Sequence, residues 1–559
     1  MRRDLKCLAE KEFDLLVIGG GITGAFLAYD AALRGIKTAL IEKGDFGMAT
    51  SSASSKILHG GVRYLQNLQL NKVRESARER TFFQVIAPQL TTTVPFIIPT
   101  YQGSFMKGRT ALCIGMWLYR LLCSHLNSQI EDCSKKVPFG RLFGKSTVLS
   151  MASILRNISR INGGHTLYEV HMTNSERMTL QVVKSAAARG AVVANYCMAE
   201  DFSFEEGRVV GASCVDTLSG EKFSIRARMT ANAAGPFLPA LNRRIPGIKL
   251  RKETTGFSKG VHLVTRQLEG KYALALSSGR KTEGVVTRGG RHIFIIPWRG
   301  RSLIGTTNVP FEGTPDEVCV TEKDIVDFLA DINEIVPGIG LERKDVYYAF
   351  SGLYPLLSDE IKTDTYQGHG EYQLVDHAAK DGVEGIVSVL GAKYTTARAV
   401  AEQAVDMIAS RFGCEEKSET SFTSLVGGEI SDFSDFQESA MQRYAHLFDQ
   451  DIIIHLVRTF GSELDEAIAW MREKEGALDR VCEGRGCVAG EILWAVEKEM
   501  ACTLEDVVFA RTGLGSVGYP GREVLESAAD IMQMTLSWPE GEKKKQLDIV
   551  ERHYQLLTH

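Results

Sequence analysis

The sequence predicts an α/β protein built on a discontinuous, Rossmann-like dinucleotide-binding domain, with an antiparallel-sheet substrate domain and a helical C-terminal domain. Three observations predict it. A strand, a glycine turn and a helix open the chain, short alternating apolar runs fill its middle, and apolar residues at three-and-four spacing fill its end. At 559 residues the chain exceeds what one hydrophobic core supports, so two or three domains are expected.

The first element is the apolar run Phe13-Asp14-Leu15-Leu16-Val17-Ile18, which stops at Gly19-Gly20-Gly21-Ile22-Thr23-Gly24 and resumes as an amphipathic segment over residues 25–34. Gly19 permits the turn, Gly21 lets a pyrophosphate approach the backbone, and Gly24 lets helix and strand pack closely. A second short strand over residues 37–41 delivers Glu42, eighteen residues beyond Gly24, where a ribose hydroxyl needs an acceptor. The loop that follows, Ala49-Thr50-Ser51-Ser52-Ala53-Ser54-Ser55-Lys56-Ile57-Leu58-His59-Gly60-Gly61-Val62-Arg63-Tyr64, offers many small donors and bare amides. Such a loop suits a pyrophosphate and the edge of a flat ring, which a nicotinamide enzyme does not need at this place.

That loop resembles the FAD-dependent glycerol-3-phosphate dehydrogenases, within the glycine-oxidase and amino-acid-oxidase superfamily. The resemblance continues in order along most of the chain. It covers Ala231-Asn232-Ala233-Ala234-Gly235-Pro236, Ser258-Lys259-Gly260-Val261-His262-Leu263, Ile295-Ile296-Pro297-Trp298 with Ile304-Gly305-Thr306-Thr307-Asn308, and Gly391-Ala392-Lys393-Tyr394-Thr395-Thr396-Ala397-Arg398. Phe460-Gly461-Ser462-Glu463 and residues 499–507 resemble the helical cap domain of the family. The resemblance implies FAD as cofactor, an active-site histidine at His262, and amides from Gly391 through Lys393, Tyr394 and Thr395 turned toward the flavin. It also implies a quinone-like electron acceptor and contact with a membrane surface, and it leaves the oligomeric state open between monomer and homodimer.

Bulk properties set the compartment and exclude some partners. With 65 basic and 69 acidic residues the net charge is -4, which gives no electrostatic footprint for nucleic acid. The 11 cysteines form no paired framework, so reduced thiols and a cytoplasmic location are expected. Cys482, Cys487 and Cys502 fit no iron–sulfur spacing and read as plain thiols, so no metal site is predicted. Charged residues from Asp4 to Glu12 occupy the place of a signal-peptide core. The longest apolar stretch, residues 111–122, is broken by Arg120 and is too short to span a bilayer, which takes about 20 apolar residues. Its Trp117 and Tyr119, with Lys107, Arg109, Arg120 and Arg141 around them, suit an interfacial helix on the inner face of the cell membrane; a core helix is the plainer reading.

The changes of periodicity divide the chain. Residues 1–80, 165–240 and 345–410 are expected to build the FAD domain, with a helix over 176–189, a strand over 191–196, and a backbone edge near Ala199 on the adenine side. Residues 81–164 and 241–344 are expected to form the substrate domain, and 422–559 the helical domain.

A flavin alcohol dehydrogenase needs a base or polar acceptor beside the carbon that gives up hydride. His262 leads, on an alternating strand; His59 is second, with packing against the isoalloxazine as its other role. Lys393 can hold negative charge at the flavin N1/C2=O edge or bind a substrate anion. The cofactor set is thus Gly19, Gly21, Gly24, Glu42, Thr50, Ser51, Ser52, His59, Gly60, Gly61, Ala199, Gly235, Gly391, Lys393, Tyr394 and Thr395, and the substrate set Lys56, Arg63, Lys259, His262 and Tyr354.

One departure stands out. Where the family carries arginine in Ser-Gly-x-Arg-Pro, this chain reads Ser351-Gly352-Leu353-Tyr354-Pro355, and a second arginine has no counterpart in Gly370-Glu371-Tyr372-Gln373-Leu374-Val375-Asp376-His377. In the family both arginines face the substrate phosphate, which wants bidentate guanidinium partners. Either Lys393, Lys259 and Arg63 bind the phosphate from another side, or the substrate is not glycerol 3-phosphate. Its alternatives are another polyol, a hydroxy acid or an amine, with oxygen as a further possible acceptor, or a flavin-binding protein without turnover.

Overall fold

A computed structural model describes residues 1–103, 108–249, 256–277, 292–355, 372–391 and 393–557. Among these, two sheets carry the molecule. The first has the order Gln373–Asp376, Ile386–Leu390, Lys222–Asn232, Glu12–Ile18, Thr38–Ile41, Val192–Ala194, with the hairpin Cys197–Glu205 and Arg208–Asp216 attached to Lys222–Asn232. Glu12–Ile18 is parallel to both neighbours, in register Val17 to Ala231 and Val17 to Leu40. Its four C-terminal residues are all buried because helices cover the sheet, as parallel strands require. Ile22–Leu33, the helix after the glycines, is buried along most of its length and packs against Ser175–Ala188 and Ala397–Phe412.

The second sheet is largely antiparallel, and its central part runs Val309–Phe311, Phe257–Thr265, Arg301–Gly305, His292–Trp298, Ala273–Ser277, Thr91–Tyr101, Ile161–Met172. Val346–Pro355 pairs with Phe257–Thr265 on this sheet. Two domain assignments are therefore corrected. Residues 165–172 of the strand Ile161–Met172, and the strand Val346–Pro355, expected in the FAD domain, pair in the second sheet: alternation identifies a strand but does not choose its partners. One face of this sheet packs on the amphipathic helix Glu322–Ile335 through Val261, Leu263, Ile325 and Phe328. The other face packs in part on the C-terminal helical region, with Val264, Ile296, Leu303 and Tyr348 clustered with Ile492, Val507 and Phe509.

From Phe433 onward the described chain is helical. A buried ion cluster ties this part to the first sheet's helices. Glu499 takes Arg177 at 2.5 and 2.8 Å and Lys184 at 2.9 Å. Arg511 grips Asp45, just past Glu42, at 2.5 and 2.9 Å. Burying such charges costs less where carboxylates meet them, and here each pair links the helical C-terminal part to a loop or helix beside the glycine turn.

Candidate active site

A cavity of about 1020 Å³ runs between the two sheets, from the glycine turn to His262. At its first end Gly19 has φ +109°, and a Cβ there would meet the Ala233 carbonyl oxygen at 2.6 Å. A Cβ on Gly24 would stand 1.8 Å from the Gly19 oxygen, so the close helix–strand approach requires glycine. Glu42 ends the strand Thr38–Ile41; its carboxylate accepts from the amides of Gly20 at 2.7 Å and Gly44 at 3.0 Å, while burial raises its pKa. Ser51 Oγ accepts from the Ile22 amide at 2.9 Å, at the start of the helix whose dipole favours an anion. Gly21, Thr50, Ser52, Ala199, Gly235 and Gly391 line the same cavity. An anion-binding helix end, an acid at the next strand end and a long cavity leading away from both fit an extended FAD.

At the far end stands His262, on the strand Phe257–Thr265 and only 3% exposed. Its Nε2 lies 2.9 Å from Ser55 Oγ, and Nδ1 has no hydrogen-bond partner. Phe350 stacks on the ring at 5.1 Å and 12°, fixing its plane. Burial, and then the nearby Lys56 ammonium, lowers its pKa to about 3, so the imidazole is neutral. Strand pairing explains the room around it. Gly305 stands opposite His262, and Gly260 opposite Gly352, while the cross-strand partner of Ser258 is Tyr354. The hydroxyl-rich loop docks into the hollow, Ala53 against Gly352 and Thr50 Oγ1 donating to the Leu353 carbonyl at 2.8 Å.

The structure places the remaining candidates unevenly. Lys393 lines the cavity, with its ammonium 4.4 Å from the centre of the Tyr64 ring. Tyr394 also lines it, but its hydroxyl lies 2.8 Å from the Ser175 carbonyl and 2.9 Å from Thr179 Oγ1, which leaves its backbone to face a ligand. Thr395 Oγ1 accepts from the His59 amide at 3.2 Å. Lys56 also lines the cavity, but it is buried and paired with Glu176 at 2.6 Å, and burial lowers its pKa.

The expectation for Lys259 is corrected. Lys259 lies on the opposite face of its strand from His262 and pairs with Asp324 at 2.7 Å, because odd and even strand positions point apart. Arg63 is exposed and outside the cavity lining. His59, Gly60 and Gly61 are outside it as well: the Gly60 amide is given to Glu169 at 2.7 Å, Gly61 packs on Ser76, and the His59 ring lies 5.4 Å from Phe294. In the departure from the family, Tyr354 OH donates to Asn308 Oδ1 at 2.7 Å, and Ser258 Oγ joins the same oxygen. Gly370 and Glu371 lie outside the described residues.

Ser55, Phe350, Gly305 and Gly352 complete the histidine end and were not singled out as site residues from the sequence. Their signal is nonlocal: glycines at 260, 305 and 352 acquire meaning only once three strands are known to be neighbours. A second histidine constellation, His377 between Asp381 at 2.6 Å and Ser388 at 2.8 Å, is buried and outside the cavity lining. It braces the first sheet through Asn242. Among the described residues no three His, Cys, Asp or Glu side chains are placed to hold a metal ion.

Residues 14–407 match the family described as FAD dependent oxidoreductase, and residues 418–543 the C-terminal domain of alpha-glycerophosphate oxidase. The chain is 32% identical over 515 residues to a glycerol-3-phosphate dehydrogenase of Synechocystis, covering 90% of this chain and 89% of that one. It is 28% identical over 568 residues to an aerobic glycerol-3-phosphate dehydrogenase of Staphylococcus aureus, covering 99% and 96%. Among solved structures it is similar to the glycerol-3-phosphate dehydrogenase of Bacillus halodurans complexed with FAD, with a TM-score of 0.76 and 30% identity over 99% of this chain and 97% of that one.

Proposed function

The chain belongs to the glycerol-3-phosphate dehydrogenase family of FAD-dependent oxidoreductases, and from that premise we propose that it oxidises the secondary alcohol of a small polyol-derived substrate at His262, glycerol 3-phosphate being the lead, and passes the electrons to a quinone at a membrane surface. The carrying observation is the neutral, buried imidazole of His262, which lines the same cavity as the glycine turn and Lys393.

Bound FAD supplies the hydride acceptor at flavin N5. His262 takes the hydroxyl proton: with Nε2–H given to Ser55 the lone pair is on Nδ1, and with the reverse tautomer it is on Nε2. Phe350 holds the ring plane, and Lys393 sets positive charge where the anion or the developing cofactor charge lies. The serine-rich loop and the C-terminal Phe509 and His553 line the cavity. Anaerobic addition of glycerol 3-phosphate to the purified protein should bleach the flavin, and His262→Ala should keep the yellow colour while slowing bleaching by about 10²-fold or more. A bleaching rate unchanged by the substitution overturns the assignment.

A second reading of the substrate has its own observation. With Lys259 turned away and Tyr354 bonded to Asn308, the polar wall beside His262 includes a hydroxyl, an amide and Ser258 where the family has an arginine. That wall suits an uncharged hydroxyl-bearing head better than a phosphate dianion. The membrane part of the proposal rests on the helix Arg109–Cys123. Ile114, Trp117 and Leu121, on one face, are 63%, 65% and 59% exposed. Among the described residues no helix is long and apolar enough to cross a bilayer.

A further inference from the structure

Residues 312–321 join the strand Val309–Phe311 of the second sheet to the helix Glu322–Ile335. Pro315, Asp316, Val318, Cys319 and Val320 line the large cavity; Pro315, Val318 and Val320 are half-buried, while Asp316 and Cys319 stand exposed. The segment is therefore a thin cover, with the cavity on one side and solvent on the other. Both of its ends are tied. At the first, the Thr314 amide donates to Glu317 Oε2 at 2.7 Å and closes a single turn. At the second, the Lys259 ammonium donates to Asp324 at 2.7 Å and to the Cys319 carbonyl at 3.3 Å. Lys259, turned away from His262, thus pins the root of this cover.

Between the two roots the tip reaches across to the first sheet. Asp316 Oδ1 accepts from the Lys43 ammonium at 2.5 Å, and that ammonium lies 3.6 Å from the centre of the Phe237 ring. Lys43 is therefore held between an aromatic face on the first domain and a carboxylate on the second. Lys43 and Phe237 line the cavity beside Glu42, the acid that ends the strand Thr38–Ile41. The Cys197 amide, two residues before Ala199, donates to the Glu42 carbonyl at 2.8 Å, so the expected ribose and adenine positions share this end of the cavity with the tip.

We propose that residues 312–321 form a strap over the adenosine half of bound FAD, latched by Lys43 on Asp316 and rooted by Lys259, and that opening of the latch sets the rate at which the cofactor leaves. The inference rests on the placing of the FAD ribose beside Glu42. A dinucleotide enclosed between two sheets leaves when a segment of its wall moves aside. An exposed ion pair is the contact that water and salt replace most readily, and this one is open to both, with the Lys43 and Asp316 side chains 34% and 70% exposed. Its effect is accordingly modest and salt-dependent.

The test follows the rise of free-FAD fluorescence after dilution of the holoenzyme. At low salt Asp316→Asn and Lys43→Met should each speed release by about two- to fivefold, the range of an exposed ion pair. Added salt should speed release from the parent and have a smaller effect on either variant. The reversed pair, Lys43→Asp with Asp316→Lys, should bring the rate back toward the parent's, which a general loosening of the fold would not do. Lys259→Met, at the root, should speed release as well. Release unchanged in Asp316→Asn and Lys43→Met while Glu42→Ala speeds it overturns the strap alone. Release unchanged in all three overturns the placing of the adenosine half beside Glu42, and the strap with it. Faster release in Asp316→Asn that the reversed pair does not recover overturns the latch.

Discussion

His262 and Gly305 stand opposite each other on neighbouring antiparallel strands, and a Cβ on residue 305 would lie 2.0 Å from the imidazole Cδ2. The ring therefore occupies the space of a missing side chain. Gly305→Ala should drive the imidazole off Phe350 and away from Ser55 while leaving the glycine turn untouched. Flavin content should be kept, and anaerobic bleaching should slow by about tenfold or more, approaching the His262→Ala rate. Full bleaching rate in Gly305→Ala, measured by stopped flow, would show that the ring position does not matter.

Burial also fixes the pH behaviour. Because the folded pKa of His262 is lowered to about 3 while the unfolded chain titrates near 6.5, the neutral base is present throughout pH 5 to 8. The reductive rate should show no loss limb near pH 6.5 in the parent protein. The linked stability has a definite sign: the unfolded chain takes up the proton first, so the contribution is complete above pH 6.5 and is lost as pH falls from 6.5 toward 3. His171, likewise lowered to about 3 by burial, adds in the same window. Denaturant midpoints of parent and His262→Asn should converge as pH is lowered from 7 to 4.

The contrast between the two ends of the cavity shows what a sequence displays. Gly19, Gly21, Gly24 and Glu42 were legible because the turn, the helix and the following strand are consecutive, and each glycine has a local steric reason. His262 was legible by its strand alternation and family resemblance, but its setting was not: Ser55, Gly305 and Phe350 come from three separate segments brought together by pairing. Lys259 is different, since its expected place beside the substrate already ran against strand alternation. Alternation put it on the face away from His262, and only the structure shows that the helix Glu322–Ile335 covers that face and offers Asp324. Gly60 read as a bare amide for a ligand; the carboxylate that takes it, Glu169, is more than a hundred residues away.

Tyr354 and Asn308 should be tested together. Hydrogen bonds to a charged group are each worth about 1.5–3 kcal/mol, so regaining one guanidinium should tighten a phosphate by about tenfold or more. Tyr354→Arg is expected to lower the KM for glycerol 3-phosphate by that factor. Uncharged polyols should lose ground, since the hydroxyl–amide wall is then broken. A low parent KM for glycerol 3-phosphate, unmoved by the substitution, would return the phosphate to other residues such as Lys393.

Glu499 holds Arg177 and Lys184 in a buried cluster, and these cations hold its carboxyl well below the ordinary value near 4.5 despite burial. Glu499→Gln leaves the buried Arg177 without its carboxylate and Lys184 with Glu463 alone, and should cost about 3–5 kcal/mol. The parent's contribution is present above pH 4.5 and lost as pH falls below it, so the gap between parent and variant in urea midpoint should narrow in acid.

The helix Arg109–Cys123 supplies the last prediction. Met116, Tyr119, Leu122 and Cys123 are buried, so the helix is held by one face, while Ile114, Trp117 and Leu121 form the other at helical spacing. Arg120 lies over the Phe139 ring, 4.5 Å from its centre, which keeps its charge on an aromatic face rather than in the apolar stripe. Exposed apolar area of this kind, with a tryptophan and flanking arginines, suits the headgroup boundary on which the proposed membrane contact relies. Trp117→Glu combined with Leu121→Glu should release the protein from anionic vesicles in flotation, with flavin content and bleaching by substrate unchanged. Each apolar side chain moved out of the interface is worth about 1.5–3 kcal/mol, so the pair should weaken partitioning by well over tenfold. Parent protein that does not float with vesicles at all would remove the membrane from the proposal and leave this face as solvent-exposed surface.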